Sequence, residues 1–100
     1  MKDRRFEWDL KKAQSNLTKH GVAFEQAIHA FDDPFALLAP DDAHSTVTER
    51  RQWLIGECAT GIVVVIFTLR QEETVIRLIS ARKASRKERA IYEAYKTIPL

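Results

Sequence analysis

One short run limits what this chain can fold into more than any other. It is Ile62-Val63-Val64-Val65-Ile66-Phe67, five β-branched residues and an aromatic with no polar position among them. Branching at Cβ restricts χ1 and suits a pleated strand. A half-exposed strand alternates polar and apolar side chains, so an uninterrupted apolar run calls for cover on both faces. Six residues are too few for a typical helix and far too few to cross a bilayer. The chain is therefore expected to build around a central strand over 62–69 with packed material on either side.

The flanking segments read as that material. Ala59-Thr60-Gly61 suits a tight turn from a strand over 51–58, and Gln71-Glu72-Glu73 suits the turn into a strand over 74–81. A first strand is expected over 35–39, followed by a polar loop over 40–48. Within 74–81, simple alternation puts Val75, Arg77 and Ile79 on one side and Ile76, Leu78 and Ser80 on the other. Arg77 is then shielded wherever its side is covered.

Helical spacing governs both ends. Asp9 is a good N-cap for a helix over 10–20, in which Leu10, Ala13 and Leu17 form one apolar stripe and Gly21 suits the left-handed C-terminal position. Phe24, Ala27, Ile28 and Phe31 mark a second helix, stopped by Asp32-Asp33-Pro34. Ser85-Arg86-Lys87-Glu88 has the form of a capping box opening a third helix to about Lys96, with Ile91, Ala94 and Tyr95 able to face the sheet and Arg86, Arg89 and Glu93 turned elsewhere. The expected fold is α+β: two N-terminal helices, a four-stranded mostly antiparallel sheet and a C-terminal helix.

A chain of 100 residues, 45% hydrophobic and 30% charged, fits one folded domain over 1–100. Cys58 is the only cysteine, which rules out an internal disulfide and a thiolate metal site; no metal and no cofactor are expected. It also has no neighbouring His to make it a nucleophile. The charged stretch from Met1 to Trp8 is unlike a signal peptide and no apolar run is long enough for a membrane, so a cytoplasmic protein without membrane contact is expected. Net charge is only +2, but residues 70–100 carry eight Lys/Arg against four Asp/Glu, while residues 1–69 carry eight against ten. A local anionic partner fits that asymmetry, as does a solvated basic helix.

The densest basic group is Arg77, Arg82, Lys83, Arg86, Lys87 and Arg89. Guanidinium forks match phosphate oxygens, and free amides at a helix start add to the attraction, so the junction near Ser85 is a candidate phosphate site. Metal-free RNA cleavage needs a proton acceptor for the 2′-hydroxyl, cations for the phosphoryl oxygens and a proton donor for the leaving oxygen. Arg70, Arg77, Arg82 and Arg86 suit the cationic role, His44, Glu49 and Glu57 the acceptor, and Tyr92 a donor or a stacking surface. Each has a plainer alternative: His44 in a polar loop, Glu49 with Arg50 and Arg51 as a charged strand start, Tyr92 as a packed aromatic. Trp8 and Trp53 could stack on bases, though core packing suits both.

The order of these residues resembles a known family. Phe6-Glu7-Trp8-Asp9, Lys12, Asn16, Lys19-His20-Gly21-Val22 and Phe24-Glu25-Gln26-Ala27 look like the start of BrnT toxins. Phe31-Asp32-Asp33-Pro34, His44-Ser45, Glu49-Arg50, Ile55-Gly56, the stretch Arg77-Leu78-Ile79-Ser80-Ala81-Arg82-Lys83-Ala84, Glu88-Arg89 and Tyr92-Glu93 continue the pattern in order, over about residues 6–93. Ala23 departs from it, standing where a capping Ser is common, and the tail after Lys96 falls outside it.

The resemblance implies a RelE-like microbial ribonuclease fold, translation arrest by RNA cleavage, and a BrnA-type antitoxin with a ribbon-helix-helix region. It also implies that operator DNA is contacted only through the antitoxin. Carried over by position, Arg70, Arg77, Arg82 and Lys83 match the family's basic set, with Glu49 and Thr68 beside them; that basic set and Glu49 are expected to be catalytic, and Thr68, His44, Arg86, Arg89 and Tyr92 are expected to bind substrate. Two other readings stand: an inactive relative whose basic surface docks acidic antitoxin residues, and a direct DNA-binding protein, which shows no helix-turn-helix spacing or basic arm.

Overall fold

The computed structural model describes residues 5–98; Met1–Arg4 of the charged N-terminal stretch and Pro99-Leu100 of the tail lie outside the described residues. Ten residues, Gly61–Arg70, form the expected central strand, here β4, with Val63, Val64, Val65 and Phe67 all buried. The other strands are β1 (Arg5–Glu7), β2 (Leu37–Pro40), β3 (Arg51–Cys58) and β5 (Val75–Lys83), and the sheet order is β1-β5-β4-β3-β2. Four strands are antiparallel as expected. The fifth, β1, is an addition: three residues pair in parallel with β5, Glu7 opposite Arg77, making the sheet mixed.

Two apolar clusters hold the sheet. On one face, Leu54, Val63, Val65, Phe67, Leu78 and Ala81 pack with Val22, Phe24, Ala27, Ala30 and Phe31 from the N-terminal half. Phe31 meets Phe6 and Phe67 edge-on at 5.2 and 5.1 Å. Trp8 likewise meets Phe24, so it serves packing. On the other face, Ile55 and Val64 pack with Ala84 and Tyr92, with Trp53 beside them. Gly56 allows the close approach of the first layer, since a Cβ there would lie 2.8 Å from the Ala30 carbonyl oxygen.

The first helix, α1 (Leu10–His20), is capped as its sequence predicts, by Asp9 accepting from Lys11 and Lys12 amides and by Gly21 at φ 70°. Its packing face is different. Leu10 and Leu17 are 78% and 50% exposed, whereas Asn16 is buried. β1 covers β5 only at Val75–Arg77, and farther along that edge Asn16 acts as a substitute strand: its Nδ2 donates to Ala81 O at 2.7 Å and its Oδ1 accepts from Ala81 N at 3.0 Å. Nδ2 also donates to Val22 O. A hydrophobic stripe cannot report a polar residue buried to satisfy an open edge.

The second helix, α2, is shorter than expected. It spans Phe24–Ala27, with no side-chain cap from Ala23, and tightens into a 3-10 turn over Ile28–Asp32. A further 3-10 turn, Asp42–His44, interrupts the loop expected over 40–48. The last helix, α3 (Arg86–Lys96), opens on the expected capping box at Ser85. Its sheet-facing residue is Tyr92, fully buried, while Ile91 and Tyr95 are exposed. Glu88, Tyr92 and Lys96, one turn apart, reach Arg82, Asp33 and Glu57, which seats α3 over the β3–β4 hairpin end of its face.

Candidate active site

Where β5 meets β4 the register slips: Ile66 pairs with Ser80 but Phe67 pairs with Leu78, leaving Ile79 as an extra residue. Strict alternation would set Arg77 and Arg82, five apart, on opposite faces. The bulge rephases the strand, so that Arg77, Ser80 and Arg82 share the face of Thr68, Ile66 and Val64. Lys83, opposite Val63, belongs to the other face and is exposed. The expected grouping of Arg77 with Ile79, away from Ser80, is thereby corrected, and Lys83 is separated from the two arginines.

Beyond the reach of α3, this face carries a polar row. Glu7, Arg77, Thr68 and Arg51 are register partners on four adjacent strands, a span of about 14 Å at the usual strand spacing. Arg77 Nη1 donates to Glu7 Oε2 at 3.0 Å. The buried Thr68 hydroxyl donates to Arg50 O at 2.8 Å, pinning the start of β3. Glu49, just before β3, accepts from Arg51 Nε at 2.9 Å through Oε1 and from Arg70 Nη2 at 3.4 Å through Oε2. The Arg51 hydrogen bond, with the Arg51 and Arg70 charges, holds its carboxyl below the usual range.

Of these groups Glu7, Glu49, Thr68 and Arg70 line one cavity of ≈ 650 Å³, together with Arg50, Gln71 and Glu73, while Arg51 and Arg77 stand behind them. Its rim includes an unusual turn: Gln71, Glu72 and Glu73 all have left-handed φ values, 52°, 55° and 69°. Side chains other than Gly are strained there, by roughly 1–2 kcal/mol per residue.

The other arginines lie elsewhere. Arg82 stands four β4 positions from Arg77, about 13 Å along the strand. Both its terminal nitrogens donate to Glu88, at 2.7 and 2.9 Å. Glu88 also accepts from the Ser85 amide. The Arg82 hydrogen bond is the main reason its carboxyl falls to about 2, and Arg82 is raised in return. This is a latch between β5 and α3. Arg86 and Arg89 are exposed on α3, and Arg89 turns back to Ala84 O at 3.4 Å.

Tyr92 and His44 are also outside the row. The Tyr92 hydroxyl donates to Asp33 Oδ2, and burial, then Asp33, push its ionisation upward. Burial alone would raise Asp33, but the Tyr92 hydroxyl, the Phe35 and Glu57 amides and Lys96 outweigh it and hold the carboxyl below its usual value. With its ring buried and its hydroxyl bonded to Asp33, Tyr92 anchors α3 to the sheet. His44 sits exposed after β2, with Nδ1 2.9 Å from Asp41 Oδ2. Glu57 is exposed beside Lys96, far from the row.

Sequence reasoning missed two members of the cluster. Glu7 was visible only as part of a family motif, and Arg51 only as charge at a strand start; the signal that joins them is strand register, which a sequence read alone does not carry. Among the described residues, no group of three His, Cys, Asp or Glu is placed to hold a metal ion, and no helix is long and apolar enough to cross a membrane.

A family model described as ribonuclease toxin, BrnT, of type II toxin-antitoxin system matches residues 8–88. No curated protein matches the chain. The matched span runs from Trp8, next to Glu7 in the polar row, to Glu88, which closes the latch on Arg82. Strands β2–β5, the cavity residues other than Glu7 and the start of α3 fall within the match, with β1 just before it, and the chain belongs to the BrnT family of ribonuclease toxins of type II toxin-antitoxin systems.

Proposed function

We propose that this protein is an endoribonuclease that cleaves single-stranded RNA without a metal ion, at the cavity bordered by Glu7 of β1, the residues leading into β3 and the end of β4. The observation that carries the reading is the meeting of Arg70, Thr68, Glu49 and Glu7 at one cavity, with Arg77 bonded to Glu7. Family membership gives an RNA substrate and an antitoxin partner; the cavity suggests where the RNA is cut. Arg70 and Arg77 supply the fixed positive charge that a developing phosphorane needs, the role a metal ion fills in other nucleases. Arg82 is held by Glu88, Lys83 lies on the opposite sheet face and Arg86 and Arg89 sit on α3 outside the cavity, so in this reading none of the four acts on the scissile phosphate.

In this reading the protein works in the cytoplasm as one RelE-like domain and arrests translation by cutting RNA. A BrnA-type ribbon-helix-helix antitoxin neutralises it and makes the operator contacts. Purified protein should cleave a 5′-labelled RNA of mixed sequence in EDTA and leave 2′,3′-cyclic phosphate ends; Arg70→Ala should lower the rate about 100-fold with an unchanged melting temperature. Metal-dependent cleavage, or full activity of Arg70→Ala, would remove the site.

The alternative, an inactive module that only holds antitoxin, draws on the fact that Arg70, Arg77 and Arg82 already have carboxylate partners. Induction without antitoxin separates the two. Growth arrest with fragmented RNA supports the nuclease, and normal growth with intact RNA supports the module.

A further inference from the structure

Three carboxylates border the cavity, and they are not equivalent. Glu49 has both oxygens taken, Oε1 by Arg51 and Oε2 by Arg70, and those two guanidiniums hold it ionised and weakly basic. Glu73 stands on the exposed turn, outside the sheet. Glu7 is on the sheet, its backbone fixed by parallel pairing of β1 with β5, and its side chain is 35% exposed. Only one of its oxygens is engaged: Oε2 accepts from Arg77 Nη1, while Oε1 accepts no hydrogen bond among the described residues. A general base needs a free lone pair, a fixed position and a nearby cation to orient it. Of the three, Glu7 alone has all of these.

Resting on the ribonuclease reading above, we infer that Glu7 is the general base of the cleavage step, held in place by Arg77. Glu7 Oε1 takes the proton of the RNA 2′-hydroxyl. The 2′-oxygen lone pair forms the new bond to phosphorus, and the P–O5′ bond breaks with its electron pair going to the 5′-oxygen. That oxygen takes a proton from water. The products are a 2′,3′-cyclic phosphate and a 5′-hydroxyl, nothing is oxidised or reduced, and Glu7 returns its proton to solvent. Arg77 therefore has two contacts to make, to Glu7 through one nitrogen and to a phosphoryl oxygen through the rest of its fork.

The test uses Glu7→Gln, whose amide oxygen can still accept from Arg77 but cannot act as a base. Single-turnover cleavage of 5′-labelled mixed-sequence RNA is measured from pH 4 to 8, alongside binding of the same RNA carrying 2′-O-methyl groups, which cannot be cut. We expect a loss of at least about 100-fold in rate, disappearance of the acid limb of the pH–rate profile, and 2′-O-methyl RNA affinity within about threefold. An unchanged rate with the acid limb intact, or a rate loss matched by an equal loss of affinity, overturns the inference while leaving the nuclease reading standing. A wild-type protein that leaves RNA whole overturns both. Should Glu7→Gln melt below the assay temperature, Glu7→Asp carries the test. A rate lowered about tenfold or more with the acid limb retained supports the role, and a wild-type rate overturns it.

Discussion

The two ends of the α3-bearing sheet face use the same residue types for different ends. At the hairpin end, Arg82 and Glu88 meet through two hydrogen bonds, Glu88 also closes the capping box, and the buried Tyr92 ties α3 to Asp33. At the other end, Arg77 and Glu7 share one hydrogen bond, Glu49 is divided between Arg51 and Arg70, and all but Arg51 and Arg77 border an open cavity. A bidentate pair engages both carboxylate oxygens and both terminal nitrogens and fixes the two elements it joins; a singly bonded pair leaves one carboxylate oxygen and one terminal nitrogen unengaged. Of the densest basic group Arg82 builds the joint, whereas Arg77 joins Arg51 and Arg70 from the neighbouring strands at the proposed site.

The sharpest way to break that contrast is Arg77→Ala. Loss of a fixed cation at the scissile phosphate should lower kcat/KM about 100- to 1,000-fold. The pair it leaves is about one-third exposed on both sides, so stability should change by less than about 1 kcal/mol. Activity assayed beside a urea titration separates the two. At the hairpin end the balance should reverse. Tyr92→Phe removes one of the three hydrogen bonds to the half-buried Asp33 carboxylate and should cost about 1–3 kcal/mol, while the folded variant cleaves RNA at the wild-type rate.

A smaller effect follows from the latch itself. The folded Glu88 carboxyl sits at about 2, below its ordinary value of 4.5. A depressed carboxylate adds stability that is fully present above the unfolded value and is lost as pH falls through the folded one. The stability gap between the wild type and Glu88→Gln should therefore be constant above about pH 5 and close between about pH 4.5 and 2. A gap independent of pH would show that the ion pair contributes nothing. Smallest is Glu72→Gly, which relieves one left-handed residue in the turn and should raise stability by about 0.5–1 kcal/mol, read from the same denaturant titrations.

The part of this fold that sequence makes legible is the part written in periodicity and caps. The apolar run 62–67 is the central strand, Asp9 and Gly21 bound the first helix, and Ser85 with Glu88 opens the last. Other features depend on pairing across the chain. β1 is three residues long and has no period of its own; it exists because β5 offers an edge. Asn16 is buried for two backbone groups 65 positions away. The bulge at Ile79, invisible to alternation, decides which arginines share a face. The site suffers most from this, since Glu7, Arg77, Thr68 and Arg51 come together only through register. Charge density pointed to Arg82–Arg89 because density is all that a linear reading can measure.

The account stands on RNA engaging the cavity end of the sheet rather than the start of α3. Backbone amide shifts recorded by NMR while 2′-O-methyl RNA is added locate the contact directly. Shifts concentrated at residues 5–8, 47–52 and 68–74, with 85–90 nearly still, are the predicted result; shifts confined to 82–90, with the cavity residues unmoved, would contradict it.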